Sequence, residues 1–346
     1  MRKYSNLLNF YLLLFLFFTI VGCKKIDLSE GSKNQLNFIA SSDSIQTINS
    51  TTARIGLRIF ANSKGDPDHL LPSSLFYIDT AFGVAYPFQH TVHEISRKIV
   101  KGVPAPVSLL VLIDKSVVGY GQSEILGFEK ALIDYYKGTS NYEINIAGFA
   151  NNNSYMSSPF QPVADGFRSN ISQLKLDSLG FLFDIAKDGG TPNLSQAINS
   201  GLDYINTNAH NANRAIVVLT NFASDITDTA SITTLTKKAA LYNTSINLVP
   251  INDNGPIPYS QLRLVRRTKG MVCYFLFEEK KIGNNFDLAI AGLNNYLTGG
   301  SYYKSVIEVT TSTPAFSNLQ WALFRPVIDS YNSVSETNFI ELLYEK

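Results

Sequence analysis

Val107-Ser108-Leu109-Leu110-Val111-Leu112-Ile113 runs directly into Asp114-Lys115-Ser116-Val117-Val118. A stretch of strand length that is apolar on both faces needs cover on both sides, and a parallel sheet between two layers of helix supplies it. Ala215 to Leu219 and Ile246 to Ile251 have the same character, and Glu143 to Phe149 alternates as a further strand. Helical faces lie between them. Leu194, Ala197, Ile198, Gly201, Leu202 and Ile205 recur at spacings of three and four, as do Ile125, Phe128, Leu132 and Tyr136. Thr191-Pro192 offers an N-cap followed by a proline at the first helical position. A last helix is expected from Phe286 to Leu297. Strands and helices in alternation predict an α/β fold over 104–298, with a doubly wound, mainly parallel sheet. No Gly-x-Gly-x-x-Gly follows a strand, so a dinucleotide site is not supported. Ligands of open wound sheets bind outside the carboxyl ends of the strands.

Three polar segments fall at such ends or open a helix beside them: Asp114-Lys115-Ser116-Val117-Val118, Asp188-Gly189-Gly190-Thr191 and Thr220-Asn221-Phe222. Their order and spacing resemble a von Willebrand factor A (vWA) domain, whose Asp-x-Ser-x-Ser, Gly-Gly-Thr and Thr-Asp-Gly loops form a metal-ion-dependent adhesion site. The resemblance covers roughly Val107 to Thr298 and implies that Asp114, Ser116, Thr191 and Asn221 meet at one rim. It also implies Mg²⁺, a hard cation that takes about six oxygen ligands. The set is degenerate: Val118 replaces the second serine, Asn221 the aspartate, and Phe222 the glycine. Asp225 is a further carboxylate near the third loop. Taken singly, Ser116 also reads as a turn residue, Thr191 as a helix cap, and Asp114 as a partner of Lys115 or of backbone amides.

On either side the pattern changes. Thr52 to Phe60, Ser74 to Ile78 and Phe88 to Val100 are rich in β-branched and aromatic residues, as are Tyr302 to Thr310, Trp321 to Ile328 and Phe339 to Tyr344. Isolated hairpins are marginal, so these segments are expected to pair with one another. The economical arrangement is a β-sandwich built from 36–103 and 299–346, with the α/β domain inserted between them.

The amino-terminal 22 residues have the layout of an export signal: Met1-Arg2-Lys3, then an apolar run from Leu7 to Val21. Ile20-Val21-Gly22-Cys23 resembles the lipobox of bacterial lipoproteins, which implies cleavage before Cys23, acylation of its thiol, and a membrane partner. Residues 23–35 then form a polar tether. Lys24 in place of the retention residue Asp implies the outer membrane of the cell envelope.

A formal net charge of +1 over 346 residues argues against a general nucleic-acid surface. With Cys23 committed to lipid, Cys273 has no disulfide partner and reads as a small buried hydrophobe within Met271 to Phe277. His90-Thr91-Val92-His93-Glu94 lacks the order of a zinc-protease motif and reads as a surface strand; Asn62 to Asp68 reads as a turn. Arg263, Arg266, Arg267 and Lys269 read as a solvated face. No nucleophile elbow, zinc cluster or phosphate loop is found. The sequence therefore predicts an interaction or adhesion protein with an unidentified protein ligand rather than an enzyme. A structural or assembly subunit of an envelope complex and a solute-binding lipoprotein are the alternatives.

Overall fold

The computed structural model describes residues 38–61, 76–82, 90–114, 132, 136, 142–149, 160–170, 174, 193–220, 226, 229–250, 258–273, 285–312, 314, 316, 321–329, 337–339 and 342–345. In chain order the first strands are β1 (Phe38–Thr47), β2 (Thr52–Ala61), β3 (Phe76–Phe82), β4 (His90–Val100), β5 (Val107–Asp114), β6 (Tyr142–Phe149) and β7 (Phe160–Pro162). Then follow α1 (Leu194–Asn208), β8 (Asn213–Thr220), α2 (Thr229–Leu241), β9 (Thr244–Pro250), α3 (Tyr259–Arg267) and α4 (Asn285–Leu297). The chain closes with β10 (Tyr302–Thr311), β11 (Trp321–Asp329), β12 (Thr337–Phe339) and β13 (Leu342–Glu345).

The central sheet has the order β7-β6-β5-β8-β9, with β6, β5, β8 and β9 parallel and the short β7 antiparallel at one edge. Val272 adds a parallel bridge to Leu248 beyond β9. Alternate residues of β5 divide between two cores. Val107, Leu109, Val111 and Ile113 pack with Leu132, Tyr136 and the α4 residues Ile290, Leu293 and Leu297. Leu110 and Leu112 pack with α1, α2 and α3 on the other face. Each fully buried aliphatic side chain contributes roughly 1.5–3 kcal/mol by leaving water, so a strand buried throughout, as β5 is, anchors both layers. The chain steps from β5 to β6 in one direction and from β8 to β9 in the other. Right-handed crossovers then place the connecting helices on opposite faces, and the reversal falls between β5 and β8.

All six residues of the expected α1 face are buried. Gly201 lets the helix lie close on the sheet, since a Cβ there would stand 3.2 Å from Leu110 Cδ2 and 3.4 Å from both Ile216 Cδ1 and Leu112 Cδ1. The helix begins at Leu194, and Asn193 takes the cap position, its carbonyl accepting the first helical bond from the Ala197 amide at 3.0 Å. Its side chain makes no cap bond; the amide nitrogen instead donates to Gln196 Oε1 at 2.6 Å. Thr191 and Pro192 lie outside the described residues.

The flanking segments pair as expected and join across the insertion. β10 lies between β2 and β4 in a four-stranded antiparallel sheet of order β1-β2-β10-β4. A second antiparallel sheet pairs β11 with β3, β12 and β13. The segment expected as one strand, Phe339 to Tyr344, is two strands, Thr337–Phe339 and Leu342–Glu345, laid along β11 in one continuous register. In the first sheet Ala53, Ile55, Leu57 and Ile59 of β2 and Tyr303, Ile307 and Val309 of β10 are buried on a common face. β1 was not singled out in the sequence. Its Ser41, Ser42 and Ser44 interrupt the apolar pattern, and an extra residue between Ser42 and Ser44 shifts its register.

The two chain crossings between the first flanking sheet and the α/β unit run side by side. The Ala105 amide donates to the Thr298 carbonyl at 2.9 Å, and the Gly102 amide donates to Ser301 Oγ at 3.2 Å. A Cβ on Gly102 would stand 2.1 Å from the Gly299 carbonyl oxygen, so only glycine fits. Phe60 of β2 packs against Tyr296 of α4 and Tyr302 of β10, both with ring centroids 5.2 Å away. The chain therefore enters and leaves 104–298 at adjacent points.

Candidate functional site at the sheet switch point

Asp114 is the last residue of β5 and Thr220 the last of β8, the two strands that flank the reversal in sheet order. Parallel pairing brings both ends to the same edge, where wound sheets hold their ligands. Thr220 Oγ1 donates to Asp114 Oδ2 at 2.7 Å, and both residues are buried. The bond to a charged acceptor offsets part of the desolvation cost that burial imposes on the carboxylate. The aliphatic run before each residue fixes its position: six consecutive buried residues of β8 end at Thr220, and all eight of β5 end at Asp114.

Of the four residues expected to form the metal site, only Asp114 lies among the described residues, as the last residue of β5. Ser116, Thr191 and Asn221 lie outside the described residues, as do Asp225 and the lipid-bearing Cys23. Thr220 belongs to the third loop, in which the expected metal-ligating position is Asn221. The signal was present, since Thr220 is the first polar residue after five aliphatic ones, the place that Asp114 holds in its own strand. Among the described residues one carboxylate and one hydroxyl are placed at this edge, and no group of three His, Cys, Asp or Glu residues is found that would hold a metal ion.

The opposite edge of the sheet carries a second polar group that the sequence did not disclose. Glu143, on β6, accepts hydrogen bonds from Ser108 Oγ of β5, from the His210 amide at 2.5 Å and from the Asn211 amide at 3.4 Å. His210 Nδ1 lies 2.8 Å from Glu143 Oε2. Burial raises the carboxyl pKa, and the bonds from Ser108, His210 and Asn211 outweigh that, leaving it below its ordinary value. Ser108 is bonded to the carboxylate rather than to the imidazole, so the group is not arranged as a nucleophile with its base. It ties down the turn before β8.

The remaining candidates also resolve into local structure. Glu94 turns to Arg97, whose Nε and NH2 both lie 2.8 Å from its carboxylate oxygens, and accepts from Ser305 Oγ at 2.7 Å, while His93 is exposed. Arg267 and Lys269 are exposed, and Arg263 and Arg266 are half-buried on α3. Cys273 is buried, and burial pushes its thiol up to about 12.

No family model matches the chain, and no curated protein matches it. Among solved structures it is similar to the SpRpn10 VWA domain, at 10% identity and a TM-score of 0.42 over 55% of this chain and 98% of that one. It is also similar to manganese-loaded TRAP protein of Plasmodium vivax, at 15% identity and a TM-score of 0.38 over 73% of this chain and 98% of that one. A third similar structure is the open form of the pilus adhesin SpaC from Lactobacillus rhamnosus GG, with 9% identity and a TM-score of 0.36. There the match covers 88% of this chain but only 47% of the adhesin. The fold described above rests on its own strand order and pairing.

Proposed function

We propose that this chain is a lipid-anchored protein of the bacterial cell envelope whose inserted vWA-like domain binds another protein at the carboxyl edge of its parallel sheet. The supporting observation is the Thr220–Asp114 hydrogen bond at 2.7 Å across the strand reversal. It holds a buried carboxylate at the place where a wound sheet receives its ligand. Ser116, Thr191 and Asn221 complete the rim in this reading, with Mg²⁺ bound weakly because Asn221 has lost a charge and Val118 a hydroxyl. The flanking strands form a sandwich that carries the domain away from the membrane, and the chain acts as a binding module rather than as an enzyme.

Crosslinking and capture from intact cells, comparing wild type with Asp114→Ala and Thr220→Val, tests the interface. Loss of the same partner in both variants is expected; unchanged capture in both overturns the reading. Thermal shift with millimolar Mg²⁺ or Mn²⁺ tests the cation separately. Stabilisation of wild type but not of Asp114→Ala supports the metal, and no stabilisation leaves a metal-free interface.

A second reading takes the chain as an assembly subunit whose flanking sheets make the contacts. It is favoured by the strand exchange between the two flanks, which binds the ends of the chain into shared sheets. Partners lost only on mutation of those sheets would select it.

A further inference from the structure

We draw no further inference here: the strongest candidate, the surface patch at the amino edge of the parallel sheet where the apolar residues Val103, Pro104, Pro106, Ala212 and Leu241 are exposed, carries nothing because nothing in the structure shows what covers it.

Discussion

The hydrogen bond between Thr220 and Asp114 makes a quantitative demand. Thr220→Val removes the hydroxyl while keeping size and β-branching, so little besides the bond is lost. Asp114 is fully buried, and a hydrogen bond to a charged acceptor is worth about 1.5–3 kcal/mol. Thr220→Val should therefore cost about 2 kcal/mol. Asp114→Ala removes this acceptor. In that background Thr220→Val should cost less, since the bond to Asp114 is already gone. The coupling energy from the double-mutant cycle should lie near 2 kcal/mol, well above the few tenths expected of independent sites. Equilibrium urea unfolding measures it, as a lowered midpoint with an unchanged slope. If Thr220→Val costs the same in both backgrounds, the two residues are not coupled, and the switch-point carboxylate is not held as described.

Gly102→Ala must displace the carbonyls of Gly299 and Gly300, which a Cβ would approach to 2.1 and 2.5 Å. It should destabilise by more than about 2 kcal/mol in calorimetry, whereas Gly299→Ala, at φ +73° with open space around its Cβ, should cost only about 1 kcal/mol of backbone strain. Glu143→Gln tests the opposite edge of the sheet. Because the folded carboxyl lies below its ordinary value of 4.5, its stabilisation is complete above that value and is lost as pH falls through the folded one. The Tm difference between wild type and Glu143→Gln should be constant from neutral pH down to about 5.5 and close on further acidification; a difference that widens in acid contradicts the described hydrogen bonds. Cys273, with its thiol pushed up to about 12 by burial, should resist alkylation at pH 8 in the folded chain and react at once in urea.

The wound sheet was legible because its signals are redundant. A run such as Val107 to Ile113 has few alternatives to a doubly covered strand, and the α1 face matched residue by residue because a helix on a sheet must bury one stripe. Boundaries were less legible where a side chain rather than a pattern decides them. Thr191-Pro192 is as good a helix start in sequence terms as Asn193, and only the geometry of the first hydrogen bond separates them. β1 escaped for a different reason. Its serines sit in an edge strand whose register shifts at an extra residue, so neither alternation nor composition marks it.

The site was half legible, and the missing half follows from what one residue type can signal. An aspartate at the end of an apolar strand draws notice because burying a charge is costly. A threonine in the same position draws none, since it is an ordinary strand residue. Yet a buried aspartate calls for donors, and one of them comes from the neighbouring strand across the reversal. β8 is that strand, and its last residue is Thr220. Once the strand order is known, the threonine is the residue to look for. Glu143 obeys the same rule at the other edge, where its donors come from β5 and from the turn before β8. In both places a carboxylate on one strand is satisfied by the element that the sheet order, not the chain order, sets beside it. A single sequence shows chain order directly and sheet order only through inference. That is why the acids of these two groups can be read from it more readily than their donors.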